Sequence, residues 1–411
     1  MSSTESAVNF QPAEWYDLDA EQGVAALIDL VTDQNVSDLF LACNERDTGV
    51  MIRHLGITRS LRTISSEQGR RFISHIKAMC GMNVAERRVP QDGRWVRRTG
   101  GKRSVDLRVS TIPTLYGEDM SLRILIRDSQ LRSLDGLGFL RPQRNTLQDL
   151  LARPSGLILV TGPTGSGKTT TLYACLHSLM NGERKINTIE DPIEFQMDGV
   201  RQSQINLKID VDFPELLRSV LRQAPDVIMI GEIRDVLTAE TAVRAANSGH
   251  LVLATLHAPV AAGAVQSMLS LGVHPHFLAT GLLGVVAQRL VRTLCPKCRI
   301  ELDLSVAPHT FDDVRPWLEP GEGNLIYTSN GCDDCRQTRF AGRTGVFEVM
   351  TISRGLRELI SNRARGSVIE QQAIQDGMLD FRRAALLKVA QGVTNVEEVL
   401  RTVPAEHLGA E

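Results

Sequence analysis

The spacing of apolar residues changes character near residue 137, and this change predicts two architectures in one chain. After Glu21, apolar residues recur at helical spacing and are followed by short stretches in which polar and apolar residues alternate. Alternation of this kind is typical of half-buried strands. Residues 21–127 are therefore predicted to form a small α+β domain, with a helix at 67–79, strands at 39–42, 49–53, 104–110 and 121–126, and a turn at 91–94.

Two polar segments border this domain. Residues 1–20 are acidic and lack the basic start and apolar run of a signal peptide, so we expect a flexible tail. Residues 128–136 read DSQLRSLDG and are rich in turn formers, which predicts a linker.

From residue 137 to 411, short apolar runs alternate with helical patterns. This alternation predicts an α/β domain whose parallel sheet is covered by helices on both faces. Strands are predicted at 157–161, 185–189, 227–230 and 251–256, with helices at 213–223 and 238–247 and short amphipathic helices within 352–404.

The predicted strand at 157–161 leads into a complete phosphate-binding motif, which spans Gly162 to Thr169 and opens a predicted helix. Its glycines let the backbone approach a polyphosphate closely, while Lys168 can reach the β- and γ-phosphates. The Thr169 hydroxyl can bind Mg²⁺. The sequence therefore predicts binding of a nucleoside triphosphate by Gly162, Pro163, Thr164, Gly165, Ser166, Gly167, Lys168, Thr169 and Thr170.

Carboxylates follow two other predicted strands, at the sheet edge that should carry the phosphate loop. Glu232 is predicted to position the attacking water or, alternatively, to hold Mg²⁺ through a water molecule. Gly231 stands where a metal-binding strand commonly ends in Asp, which leaves Thr169 as the expected direct protein ligand. Glu190 and Glu194 are further carboxylates able to hold metal-bound water.

A histidine and three arginines could complete the site. His257 follows the strand at 251–256 and could donate to the γ-phosphate, whereas His250 stands about 20 Å away at the start of that strand, so its role stays open. An arginine could also reach the nucleotide across a subunit or domain boundary, or the arginines could simply lie on the surface of a half-buried sheet. The candidates are Arg94, Arg108 and Arg123.

Two C-x-x-C pairs, separated by 33 residues, suggest a structural Zn²⁺ site within a lobe at 295–335, with free thiols as the alternative. The predicted ligands are Cys295, Cys298, Cys332 and Cys335.

Composition narrows the class of protein. Among 411 residues, 46 Lys and Arg nearly balance 48 Asp and Glu, so no overall basic charge indicates nucleic acid binding. The longest apolar stretch, at 277–287, is too short to span a bilayer. We expect a cytoplasmic protein.

The motifs together resemble those of the secretion ATPase superfamily, which includes the traffic ATPases of type II secretion and type IV pilus assembly. The resemblance runs from about residue 21 to 404, with an acidic box at Glu190–Glu194, a second nucleotide motif at Gly231-Glu232 and a histidine box from His250 to His257. The segments that carry it are GPTGSGKTTTLY, TIEDPIEF, LRSVLRQAPDVIMIGEIRD, SGHLVLATLHA, AQRLVRTLCPKCR, GCDDC and GRTGVFEV.

The resemblance implies a RecA-like P-loop ATPase core with a zinc lobe and C-terminal helices, preceded by a small PAS-like domain. It implies a homo-hexamer in which that domain lends Arg94, Arg108 and Arg123 to the γ-phosphate. Mg-ATP hydrolysis would drive inner-membrane platform proteins that assemble a pilus or pseudopilus, with the ATPase peripheral at the inner membrane and no direct nucleic acid contact.

The chain departs from the superfamily pattern in three places. Members usually carry a further N-terminal docking domain, whereas this sequence begins almost directly at the arginine-bearing domain. Phe40 stands where a histidine is common, and Ala258-Pro259 replace polar residues after His257.

Two other functions remain open, namely a motor for DNA uptake or conjugation and a nucleotide-responsive scaffold with little turnover.

Overall fold

The chain folds into two compact units, Met1–Gln130 and Leu131–Glu411. The computed structural model describes residues 15–100, 103–126, 133–305, 307 and 309–408. Among these residues, no helix combines the length and the apolar character that crossing a lipid bilayer requires.

The first unit is an antiparallel six-stranded sheet whose apolar side chains share one core with two helices. The strands are arranged in the order β3-β2-β1-β6-β5-β4. Strands β1–β3 and strands β4–β6 each form a three-stranded antiparallel meander, and the pairing of β1 with β6 joins the two meanders. The elements are α1 (Ala20–Asp33), β1 (Asp38–Cys43), β2 (Asp47–His54), β3 (Ile57–Ser65), α2 (Ser66–Met79), β4 (Gln91–Arg98), β5 (Ser104–Thr114) and β6 (Gly117–Ile126).

Three features of this unit differ from the sequence prediction. Residues 91–94 open strand β4 instead of forming a turn, and Gly93 serves packing, because a Cβ there would lie 2.7 Å from the Cβ of Cys80. Strand β3 was not predicted. Within the predicted tail, residues 1–14 lie outside the described residues, whereas Trp15 is buried and its ring packs against Phe72.

The second unit is a seven-stranded mixed sheet of order β15-β12-β7-β11-β10-β8-β9, with a separate two-stranded ribbon, β13-β14. Its helices are α3 (Arg141–Leu151), α4 (Lys168–Leu179), α5 (Phe213–Leu221), α6 (Val236–Asn247), α7 (Ala261–Ser270), α8 (Pro275–Gly281), α9 (Arg354–Ser361), α10 (Gly366–Gln375), α11 (Phe381–Ala390) and α12 (Val396–Thr402). Its strands are β7 (Gly156–Thr161), β8 (Ile186–Glu190), β9 (Arg201–Gln204), β10 (Val227–Ile230), β11 (Leu251–Leu256), β12 (Leu282–Leu294), β13 (Arg299–Asp303), β14 (Leu325–Ser329) and β15 (Phe340–Thr351).

The central strands of this sheet are buried on both faces, as parallel strands covered by helices must be. Along β7, Leu157 and Leu159 join one apolar cluster, while Ile158 and Val160 join the other. Because neither face meets water, these strands read as continuous apolar runs, which is why the sequence revealed them.

The α/β prediction is confirmed in its coarse form, but the sheet is mixed because β15 runs antiparallel to β12. Both strands were missed, since the apolar stretch at 277–287 divides between α8 and β12 without a turn signal. Of the predicted linker, residues 128–132 lie outside the described residues. Leu134 and Leu137 are buried in the second unit.

Candidate nucleotide-binding site

The glycine loop joins the carboxyl end of β7 to the first residue of α4. Gly162, Gly165 and Gly167 all have positive φ, at 144°, 78° and 90°. A Cβ on Gly162 would lie 2.5 Å from the backbone oxygen of Gln288, so no larger residue fits there. The loop is therefore a backbone cradle in front of a helix N-terminus, where peptide N–H groups and the helix dipole attract phosphate.

Lys168 lies across the mouth of this cradle. Its Nζ donates to the carbonyl oxygens of Gly162 at 2.8 Å and Pro163 at 3.2 Å. Burial lowers the pKa of Lys168, and the nearby charge of Glu232 partly opposes that shift. Thr169 is exposed on the first turn of α4, where its hydroxyl is accessible to a metal ion.

His257 lies between Lys168 and Glu232. Its Nδ1 is 3.4 Å from the Lys168 Nζ, and its Nε2 is 2.7 Å from a Glu232 carboxylate oxygen. An ammonium group can only donate, so Nδ1 accepts and Nε2 carries the proton that His257 donates to Glu232. The other Glu232 oxygen pairs with Arg234 at 2.6 Å, and Arg234 is 3.7 Å from Asp191.

The parallel ladder between β7 and β11 explains this proximity. Thr161 pairs with Leu256, so both strands end side by side. The Thr161 hydroxyl donates to the Ala258 carbonyl at 2.9 Å and accepts from its N–H at 2.8 Å. His257 is thus held beside the loop, while His250 lies at the opposite end of β11, with Nδ1 3.1 Å from the Ala245 carbonyl oxygen.

The acidic box has a different environment from the one that the sequence suggested. Glu190 is buried, and its carboxylate accepts from the Tyr173 hydroxyl, from Thr188 at 2.6 Å and from Gln202 at 3.0 Å. Both of its oxygens are thus engaged within the protein, and a role for Glu190 in holding metal-bound water stays a prediction. Glu194 is half-buried in the segment that follows β8.

Sequence reasoning missed two side chains. Arg234 pairs with Glu232, and Gln288 on β12 braces the phosphate loop from behind. The buried Gln288 amide donates to the Ser166 carbonyl at 2.7 Å and accepts from the Thr171 hydroxyl at 2.8 Å. Both lie within segments that carry the family resemblance, but only the fold shows which way they point.

The three candidate arginines, which belong to the first unit, lie in one row. Arg94 pairs with Arg108 across β4 and β5, and Arg108 pairs with Arg123 across β5 and β6. Directly opposite residues of antiparallel strands share a face, so all three project from the same surface of the sheet. Arg94 is held by the carboxylate of Asp106, and Arg123 lies 3.2 Å from Asp38.

The four cysteines of the two C-x-x-C pairs converge in space. Their sulfur atoms all lie within 4.8 Å of one another, with three separations of 3.8 to 3.9 Å. The group could hold a metal ion. Among the described residues, it is the group of three or more His, Cys, Asp or Glu side chains whose ligand atoms lie close enough together to hold a metal ion.

A glycine cradle between a buried parallel strand and a helix, with a carboxylate and a histidine at neighbouring strand ends, defines a P-loop nucleoside triphosphatase. Residues 19–401 match the family described as Type II/IV secretion system protein. The chain belongs to this family and is an ATP-hydrolysing enzyme, which confirms the resemblance identified in the sequence.

Individual relatives support this family assignment, and a solved structure shares the fold. The chain is 42% identical to the type II secretion system protein E of Aeromonas hydrophila, over 92% of this chain and 74% of that protein. It is 40% identical to the type II secretion system ATPase E of Vibrio cholerae, again over 92% and 74%. The ATPase DotB of Legionella pneumophila shares the fold, with a TM-score of 0.66, 18% identity and coverage of 91% and 93%.

We predict that Gln288→Met weakens ATP binding about tenfold. The substitution leaves the Ser166 carbonyl and the Thr171 hydroxyl without their partner, and each unpaired buried group costs about 1–3 kcal/mol of folding free energy. We expect about 1.4 kcal/mol of this cost to appear as weaker ATP binding, which is the tenfold effect. Titration with a fluorescent ATP analogue measures the effect. Gln143→Met is the matched control, because Gln143 is also buried. Its amide forms hydrogen bonds with two backbone groups, and both groups lie away from the loop. Equal affinities in the two variants would contradict a bracing role for Gln288.

Proposed function

We propose that the chain acts as a homo-hexameric motor, in which Mg-ATP hydrolysis drives assembly of the pseudopilus in type II secretion or of a related pilus. The observation that supports this proposal most is the row of Lys168, His257 and Glu232 at one edge of the sheet. Neighbouring polar groups in this row are no more than 3.4 Å apart, and the chain belongs to this family. Inner-membrane platform proteins are its proposed partners, which makes it peripheral to the cytoplasmic side of that membrane.

The residues present fit ATP and Mg²⁺. The loop from Gly162 to Thr169 offers a backbone cradle with no room for a Cβ at Gly162, and Lys168 and Thr169 are placed to contact phosphate and metal. Bound Mg²⁺ supplies charge neutralisation for the phosphate oxygens. Thr170 follows on the same helical turn, and its backbone adds to the positive helix end.

Glu232 is the proposed water-positioning residue. Its carboxylate is mostly shielded from solvent, with 17% of the side chain exposed, and it is oriented from two sides by His257 and Arg234. A carboxylate fixed in this way can accept a proton from an attacking water. His257 contacts both Glu232 and Lys168, so we assign it the role of a sensor for the γ-phosphate.

The arginine row is proposed to complete the nucleotide site of a neighbouring subunit. Hydrolysis needs positive charge on the γ-phosphate oxygens in the transition state, and arginine fingers supply it in many P-loop enzymes. Three arginines stand in register on one sheet face, where Asp106 orients Arg94 and Asp38 orients Arg123.

The cysteine cluster is proposed to bind Zn²⁺. A tetrahedral site with Zn–S bonds of about 2.3 Å places sulfur atoms about 3.8 Å apart. The separations of 3.8 to 3.9 Å agree with this geometry. Four thiolates leave no open coordination position, so the role would be structural.

We predict that Glu232→Gln lowers kcat for ATP hydrolysis about 100-fold, because the amide cannot take a proton from water. ATP binding should change less than threefold, since Glu232 does not line the glycine loop. Steady-state ATPase assays and nucleotide titration separate the two effects. Glu240→Gln changes a half-buried carboxylate on α6 that pairs with Arg244, and it should retain wild-type turnover. Undiminished kcat in the Glu232 variant would refute this role for Glu232. Equally negligible turnover in the wild-type protein and in this variant, with partner proteins present, would instead favour the nucleotide-responsive scaffold.

Subunit mixing tests the arginine row. Replacing Arg94, Arg108 or Arg123 singly by Gln is expected to lower ATPase activity about 100-fold or more. Mixing such a variant with Lys168→Ala subunits should restore about a quarter of the wild-type rate, because some shared sites then combine an intact loop with an intact arginine. Arg71→Gln, exposed on α2, serves as the control. Failure of every mixture to regain activity would rule out sharing between subunits.

Metal analysis tests the cysteine cluster. We expect purified protein to contain a single zinc ion per chain, and Cys298→Ser to lose it and to lower Tm, since structural zinc contributes folding free energy. Mass spectrometry of the metal and thermal unfolding provide the measurements. Cys80→Ser changes a half-buried thiol outside the cluster and should keep the zinc. A zinc-free protein with unchanged Tm after Cys298→Ser would exclude the site.

A further inference from the structure

The loop that carries His257 continues directly into α7, and two buried charged side chains hold the junction. The carbonyl of Pro259 accepts from Arg289 at 3.1 Å. The N–H of Ala261, the first residue of α7, donates to Glu348 at 2.9 Å. Neither Arg289 nor Glu348 takes part in the nucleotide chemistry described above.

Glu348 bridges the beginnings of two helices. It projects from β15, is 1% exposed, and its second carboxylate oxygen accepts from the N–H of Phe381 at 3.1 Å. Phe381 is the first residue of α11, so one carboxylate contacts the positive ends of α7 and α11 together. Val260, the N-cap of α7, makes no side-chain capping bond, and Glu348 fills that role.

Burial raises the pKa of Glu348 to about 8, and the hydrogen bonds from the N–H groups of Ala261 and Phe381 oppose that rise. A buried carboxylate is costly unless it is hydrogen-bonded, and here two helix N-termini provide the bonds. Burial also lowers the pKa of Arg289, although the charge of Glu348 opposes this shift.

Arg289 reaches the junction from β12. It follows Gln288, which points to the opposite face and braces the phosphate loop. The Arg289 guanidinium also lies over the ring of Phe381, 5.5 Å from its centroid. Adjacent residues of one strand therefore contact the phosphate loop and the His257 loop. A further bond, from Gln266 of α7 to the Ala364 carbonyl at 2.8 Å, ties α7 to the C-terminal helices.

We propose that Glu348 and Arg289 are positioning residues for His257, and that they couple its loop to the C-terminal helix α11. Glu348 joins α7 to α11 through their first N–H groups, while Arg289 fixes the Pro259 carbonyl two residues after His257. A displacement of α11 is therefore transmitted to His257, and the reverse holds equally. The inference rests on the sensor role proposed for His257.

A double-mutant cycle tests this coupling. Glu348→Gln keeps the side-chain volume but retains a single acceptor oxygen for two N–H donors. Acting through His257, it should lower kcat about tenfold with KM for ATP within about twofold of wild type. In a His257→Ala background, Glu348→Gln should cause no further loss of kcat, because the group it positions is gone.

Glu398→Gln is the matched control, since Glu398 is 1% exposed and binds Arg292 and Arg401 away from the His257 loop. It should lower Tm while kcat stays at the wild-type value. If Glu348→Gln does not fold, Arg289→Lys and Arg289→Met replace it, with Lys expected to retain more kcat because it keeps a cationic donor.

Independent losses from Glu348→Gln and His257→Ala would overturn the inference, as would a folded Glu348→Gln variant with wild-type kcat. Equal kcat in the Arg289→Lys and Arg289→Met variants would also contradict it. A His257→Ala variant with full activity would have a different meaning. It would refute the sensor role itself, and this coupling with it.

Discussion

The parallel pairing of β7 with β11 is the constraint from which the site follows. These strands end at Thr161 and Leu256 in register, and the Thr161 hydroxyl exchanges two hydrogen bonds with Ala258. The phosphate loop and the histidine loop are consequently fixed to each other by a buried ladder. Since side chains alternate along a strand, any slip of a single residue would turn Thr161 away and separate the two loops.

The interactions around Glu232 contribute more to geometry than to stability. Arg234 is 60% exposed, and ion pairs with such exposure stabilise a fold by less than about 1 kcal/mol. Its effect is orientation, because the carboxylate has one oxygen fixed by Arg234 and the other by His257. The buried bonds of Gln288 hold the cradle more firmly, since neither partner has water as a substitute.

The sequence predicted those parts of the protein in which local chemistry determines the structure. The glycine loop and the strands near it could be read because a motif or an apolar run marks them. Gln288, Arg289 and Glu348 could not, since their roles depend on β12 and β15, which no turn or periodic pattern delimits. Glu190 is a different case. Its position after a strand suggested chemistry, but Tyr173 and Gln202 enclose it in the folded chain.

The cysteine cluster has a consequence beyond its own lobe. Cys295 directly follows β12, and the other C-x-x-C pair precedes β15, so a metal ion bound by these thiols would hold together the far end of the longest antiparallel ladder. Strand β12 also pairs with β7, so it cannot slide along one neighbour without sliding along the other. A metal ion bound far from the nucleotide would thereby keep Gln288, and not the neighbouring Arg289, behind the phosphate cradle.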